Sequence, residues 1–252
     1  MVLMNISLTV VLFIVGGFAG FINVLAGGGS LLVLPVMVMM GIPGPVANGT
    51  NRVAILAQCV SATTSFFRNG FSDFKLSLTL TLCAIPGTVI GALLGVKLSG
   101  VWFNRTLSVI IFILLIIMAN KPNRNAEEKN NKQHPNRLIL AHILMIGAGF
   151  YGGFIQAGVG FILIAIIHKT LNMDLVRVNM HKVFIVGMYT IVAIVIYSFN
   201  GNVAWIPGIC LAAGNSIGGW LGSVFAIKKG DRTIRIILVI VLAIMAVKLL
   251  LI

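Results

Sequence analysis

The chain has 252 residues, 59% of them hydrophobic and 9% charged, with 18 Lys and Arg against 5 Asp and Glu and a formal net charge of +13. A soluble domain carries about 25% charged residues, so this composition excludes a soluble globular fold. The apolar runs are continuous and far longer than the ~10-residue alternating strands of a transmembrane barrel, which leaves an all-α polytopic membrane protein in a lipid bilayer. The excess of positive charge does not point to nucleic acid, because the basic residues sit mostly in loops, where they set orientation.

In chain order, the first apolar run extends from Ile6 to Gly41. That is about 36 residues where one crossing takes about 20, so the run has to turn back. Gly27-Gly28-Gly29-Ser30 is the natural break, since Gly accepts any φ/ψ and costs a helix interior about 1 kcal/mol. Open backbone at membrane depth survives only when buried in protein or lining a cavity. No Lys or Arg precedes this run, which argues against a cleaved signal peptide. Long apolar segments are expected at about 5–26, 45–67, 75–97 and 103–119, then at about 138–156, 176–198, 203–227 and 233–251. Two short runs, about 31–41 and 160–171, each follow a glycine break. Asn120 to Arg137 is the one polar linker. This divides the chain into an N-terminal membrane repeat at 1–119, a basic linker at 120–137 and a C-terminal repeat at 138–252. Cys59, Cys83 and Cys210 lie inside apolar runs without metal or redox spacing and read as buried small hydrophobes.

The two halves repeat. At an offset of 131, Gly27 and Gly29 fall on Gly158 and Gly160, Asn48 on Asn179, and Asn69-Gly70 on Asn200-Gly201. At 127, Cys83, Gly87, Gly91 and Gly95 fall on Cys210, Gly214, Gly218 and Gly222. Glycines at every fourth position line one helix face and admit a close neighbour. If each short run completes a crossing, each half crosses five times, and an odd number inverts the second half. With the linker in the cytoplasm, the inner side holds Arg68, Lys75, Lys121, Arg124, Lys129, Lys132, Arg137, Lys169, Arg177, Lys228, Lys229, Arg232 and Arg235. The outer side holds only Lys97, Arg105 and Lys248. That asymmetry supports an inner linker and outer termini. Two inverted-topology repeats, each of four long helices plus a short half-helix, are a recurrent design of secondary transporters.

The candidate site follows from the breaks. A short helix that begins at Gly28, Gly29 and Ser30, and another at Gly158 and Gly160 behind Gln156, would turn unpaired N–H groups toward a cavity and favour an anion. Glycine-mediated close packing is the competing reading. Asn48-Gly49-Thr50-Asn51-Arg52, matched by Asn179-Met180-His181-Lys182, puts an amide and a cation inside each half. Such residues usually face a cavity, though snorkelling to the interface is the alternative. Arg52 offers a planar fork, Lys182 a point charge, and their pairing needs a one-residue slip, because at strict offset Lys182 meets Asn51. Gln58 and Gln156 are further candidates that ordinary helix–helix hydrogen bonds explain as readily. His181, beside Lys182, and His142 are the titratable groups inside long segments.

All five acids, Asp73, Glu127, Glu128, Asp174 and Asp231, fall in loops or at their edges. No buried carboxylate pair is therefore expected for catalysis, for a metal or for proton coupling, and no cofactor is called for.

The stretch Gly20-Phe21-Ile22-Asn23-Val24-Leu25-Ala26-Gly27-Gly28-Gly29-Ser30, with Pro35, Gly41-Ile42-Pro43 and Ala47 to Arg52, resembles the first signature of the TauE/SafE family, the sulfite exporter or TSUP permeases. Gly149-Phe150-Tyr151-Gly152-Gly153-Phe154, running to Gly160 and then Asn179 to Lys182, is similar to the second, with Val159 interrupting its glycines. The resemblance implies transport of sulfur-containing anions such as sulfite, sulfonates or related organic anions. Together with the residues it gives a secondary transporter of a small anion working by alternating access, not an enzyme. The anion would lie between the halves, with the coupling ion, H+ or Na+, left open. A passive anion channel of the same architecture, or a membrane-embedded enzyme, is the alternative.

Overall fold

A computed structural model describes residues 6–98, 100–103, 105, 106, 109 and 135–250. Most of the expected 103–119 segment and nearly all of the 120–137 linker lie outside these. The described chain is helical throughout. Its elements are α1 (Ile6–Leu25), α2 (Gly29–Met39), α3 (Gly44–Arg68), α4 (Phe74–Gly95), α5 (Pro135–Phe154), α6 (Val159–Leu171), α7 (Leu175–Phe199) and α8 (Trp205–Leu250), the last broken at Gly230 by φ 70°. Among the described residues, five stretches are long and apolar enough to cross a membrane: Leu8–Leu25, Phe74–Gly95, Arg137–Phe154, Leu175–Phe199 and Trp205–Gly230. α3 is equally long but more polar, because it carries Asn48, Thr50, Asn51, Arg52 and Gln58, all buried. α2 and α6 are the two short helices, about 16 and 20 Å long at 1.5 Å per residue.

Local chemistry sets the boundaries. Gly27 (φ 90°) and Gly158 (φ 72°) take left-handed backbone at the two breaks, a conformation open to Gly at no steric cost. Asp73 and Asp174 cap α4 and α7, accepting from Leu76 N at 3.2 Å and Arg177 N at 3.0 Å. Pro45 stands in the first turn of α3, where its missing N–H costs nothing.

Glycine stripes fix the helix pairs. A methyl group on Gly214, Gly218 or Gly222 would run into the backbone of Phe13, Gly17 or Phe21 on α1. One on Gly87, Gly91 or Gly95 would run into Ile146, Phe150 or Phe154 on α5. The stripes seen in the sequence are thus the contact faces of α8 on α1 and of α4 on α5. Both pairs run parallel, because the contact numbers rise together. α3 and α8 are parallel too, with Thr50 at Ala204, Ser61 at Ser216 and Arg68 over Trp220. So are α4 and α7, with Ser77 at His181 and Gly95 at Tyr197. α3 and α7 are antiparallel, Asn48 meeting Tyr197 and Cys59 lying beside Gly187.

It follows that α1, α3 and α8 point one way and α4, α5 and α7 the other. Every pair matched by the repeat (α1 with α5, α3 with α7, α4 with α8) is opposed. That is consistent with inverted repeats. α2 carries the chain back between α1 and α3, its first residue lying against Ala19 and Asn23.

Gly91→Val and Gly218→Val are expected to lower stability by about 1–3 kcal/mol through overpacking. Gly147→Ala, at a position with nothing within 4 Å of an added Cβ, should stay near wild type. Melting temperatures of the three purified variants check this.

A candidate anion site at two facing helix breaks

The two breaks meet. Gly27 and Gly160 touch backbone to backbone, and a Cβ on either would overlap the other. Gly27→Ala adds strain at φ 90° to that clash and should abolish both folded protein and activity; a well-folded, active Gly27→Ala protein would show the contact to be dispensable.

Each break exposes the end of one helix and the start of the next. At the ends, the carbonyls of the last turn need donors, and each half supplies them to the other. Arg52 of α3 donates through Nη1 to Gly152 O (2.9 Å) and through Nη2 to Gly153 O (2.6 Å) at the end of α5. Asn48 Nδ2 donates to Phe154 O at 2.8 Å and to Tyr197 Oη at 2.7 Å, and Tyr197 Oη itself donates to Phe154 O at 3.0 Å. In mirror fashion, Lys182 of α7 donates from Nζ to Asn23 O (2.9 Å) and Val24 O (2.7 Å) at the end of α1, and to Asn179 Oδ1 (2.7 Å). Asn179 Nδ2 donates to Leu25 O at 3.4 Å.

Arg52 and Lys182 are 0% and 2% exposed, so neither snorkels. The guanidinium also lies over the Tyr197 ring, with Cζ 4.6 Å from the centroid. The one-residue slip leaves the roles equivalent: each cation caps the negative end of the opposite half's broken helix.

The helix starts are different. The N-cap residues Gly28 and Gly158 supply no side-chain cap, although Gly29 N of α2 donates to Asn23 Oδ1 at 3.4 Å, and Ser30, Val159 and Gly160 of these first turns line one small cavity together with Asn23, Gln58, Gln156 and Lys182. Cys59, Val183 and Val186 complete its wall. Its volume is about 10 Å³, room for a single water molecule.

Of the residues singled out from the sequence, Ser30, Gln58, Gln156, Gly160 and Lys182 line this cavity. Asn51 stands one step behind, with Nδ2 donating to Ser30 Oγ at 3.0 Å and a buried Oδ1 that has no partner. Arg52, Asn48 and Asn179 hold helix ends. Thr50 Oγ1 accepts from Ala204 N at 2.8 Å and holds the start of α8. Gly28 faces the Phe161 ring and Gly29 the carbonyl of Ala19. Gly158 provides the turn into α6. His181 points away, its Nδ1 2.8 Å from Ser77 Oγ on α4. His142 bonds Leu138 O within its own helix at 2.8 Å. Among the described residues no group of three or more His, Cys, Asp or Glu could hold a metal ion.

Asn23 and Tyr189 are site residues that sequence reasoning missed. Asn23 Nδ2 donates to Gln58 Oε1 at 2.9 Å, and Gln156 Nε2 donates to Tyr189 Oη at 3.2 Å. These are one contact seen twice. Gln58 and Tyr189 stand 131 apart, while Asn23 and Gln156 stand 133 apart, within Gly20-Phe21-Ile22-Asn23 and Gly153-Phe154-Ile155-Gln156. The signal was present, but two extra residues between Asn23 and Gly27 hide it from a single offset.

Fold and site together define a helical membrane protein whose two opposed halves share a buried cationic centre at paired helix breaks. The chain belongs to the family Sulfite exporter TauE/SafE, whose profile matches residues 12–249. It is 30% identical over 239 residues to "Probable membrane transporter protein ORF9" of Sinorhizobium sp, covering 95% of this chain and 91% of that protein. It is 27% identical to a "Probable membrane transporter protein" of Haemophilus influenzae, with 97% and 95% covered, and 28% identical to "Probable membrane transporter protein YfcA" of Escherichia coli K12, with 95% and 88% covered. No solved structure matches the chain. It is thus a multi-pass membrane protein of a transporter family.

Proposed function

We propose that the protein is a secondary transporter that moves a small anion, a sulfur oxyanion or an organosulfonate, by alternating access between its two halves. The observation that carries this is electrostatic. At each break the negative helix end is capped by a buried cation, while the positive helix start, opened by a glycine with no side chain of its own, lies beside the cavity. Among the described residues the one ion pair is Arg177 with Asp174, on the exposed start of α7. Arg52 and Lys182 have no carboxylate partner among the described residues, and in a poorly polarisable interior an anion is the natural complement of such a cation.

Ser30, Gln58 and Gln156 would bind the cargo's oxygens, the first turns of α2 and α6 would replace its hydration, and Lys182 would supply charge. A sulfonate group is far larger than the space one water occupies, so the halves have to separate to admit it. Because the breaks are built from both halves, rocking one against the other opens the site to one side at a time. The charge asymmetry of the loops supports a cytoplasmic linker with both termini outside the cell membrane.

Purified protein in liposomes should take up sulfite or a sulfonate saturably and show counterflow. Uptake that rises linearly with concentration without counterflow would make it a channel, and no uptake of any anion would defeat the proposal. The coupling ion, H+ or Na+, is found in the same assay by collapsing each gradient in turn.

A further inference from the structure

The hydrogen bonds around the cavity fix which end of each amide meets a ligand, and we propose that they make the site selective for oxyanions that carry no proton. This rests on the reading of the cavity as an anion site and adds a rule for which anions it accepts.

Start from Gly29. Its N–H can only donate, and it does so to Asn23 Oδ1 at 3.4 Å. Asn23 therefore turns its Nδ2 toward Gln58, and Gln58 has to answer with Oε1, at 2.9 Å. The end of Gln58 left for a ligand is the Nε2 amide, a donor with no acceptor role. On the opposite wall the same logic begins at Arg52, whose Nη1 can only donate and does so to Gln156 Oε1 at 3.3 Å. Gln156 is left with Nε2, one hydrogen of which goes to Tyr189 Oη while the other has no acceptor among the described residues. Lys182 spends all three ammonium hydrogens on Asn23 O, Val24 O and Asn179 Oδ1, so it offers charge and occupies the carbonyls that could otherwise accept from a ligand. Ser30, which accepts from Asn51 Nδ2, is the strong hydrogen-bonding side chain on the wall that can act in either role.

Two walls of fixed donors satisfy an anion whose oxygens only accept. Away from Ser30 they leave the O–H of a protonated oxyanion facing N–H groups, a poorly satisfied polar hydrogen, and such mismatches discriminate. Sulfate and sulfonates have no such hydrogen at neutral pH; inorganic phosphate always has at least one.

The test uses the purified full chain at neutral pH and constant ionic strength, with sulfate, methanesulfonate and inorganic phosphate as probes. Melting temperature and competition for uptake into liposomes are read for each. The expected result is binding of sulfate or methanesulfonate at least about tenfold tighter than phosphate. Phosphate acting as well as sulfate and methanesulfonate would overturn the selectivity rule while leaving the anion site intact. If no probe raises the melting temperature or competes, the anion-site reading fails and this inference falls with it.

Asn23→Ala then separates positioning from packing. Without Asn23 the Gln58 amide is free to turn, so the preference for sulfate over phosphate should shrink by about tenfold, phosphate gaining relative to sulfate. Parallel weakening of both, at an unchanged ratio, would mean that Asn23 does not set selectivity. If this variant does not fold, the wild-type comparison of sulfate with phosphate still decides the rule.

Discussion

Replacing Arg52 with leucine is expected to remove folded protein, and not merely transport. The guanidinium supplies donors to Gly152 O, Gly153 O and Gln156 Oε1, and all three are buried against α3. Leucine leaves the two carbonyls without this partner while Gln156 Oε1 keeps Tyr189 Oη at 3.4 Å; at about 1–3 kcal/mol per buried group the total reaches about 2–6 kcal/mol against a native stability of about 5–15 kcal/mol. The loss falls at the end of α5, next to the start of α6, and should disorder that break first. Lysine at the same position keeps the charge but cannot fork across two successive carbonyls, so Arg52→Lys should fall between wild type and Arg52→Leu. Detergent-solubilised protein is the measure: the leucine variant should lose its monodisperse peak and its cooperative melt. An Arg52→Leu protein that melts at the wild-type temperature would refute the capping role. Loss of transport in Arg52 variants therefore says nothing about contact with cargo unless the protein is first shown to be folded.

The helices and their close-contact faces were largely legible because membrane physics writes them plainly. Apolar length marks the crossings, and glycines at every fourth position mark the faces where backbones touch. The breaks were legible for the same reason, since Gly27 to Gly29 and Gly158 to Gly160 leave the rest of the run too short for a crossing. The division of labour within the site was not. Sequence places Arg52 and Lys182 inside the membrane but cannot say what they hold, because a free helix end competes with a ligand for the same cation. In the structure the helix ends take both of them. Lys182 still reaches the cavity wall and Arg52 does not, a difference of one residue along equivalent helices, or about 100° around the axis. Asn23 went unnoticed because its counterpart Gln156 stands at 133 while Gln58 and Tyr189 stand at 131. His181 was marked by its neighbour Lys182, yet adjacent helix positions face different ways, and His181 turns to Ser77.

Lys182→Gln is expected to leave the fold standing and to cut anion affinity by about two orders of magnitude. Glutamine keeps an amide that can donate to one of the two α1 carbonyls, Asn23 O or Val24 O, so less of the cap is lost than when leucine replaces Arg52. The positive charge is lost outright. A unit charge about 6 Å from an anion, at an effective dielectric of about 20, contributes about 3 kcal/mol, which is about 100-fold in Kd. Because the Lys182 side chain is buried, added salt should screen this little. The half-saturation concentration for uptake into liposomes should rise by that factor, and the ligand-induced gain in melting temperature should vanish at concentrations that saturate wild type. A folded Lys182→Gln protein with wild-type half-saturation would show that the ammonium serves the end of α1 alone, and the charge that draws the anion would then have to come from the starts of α2 and α6.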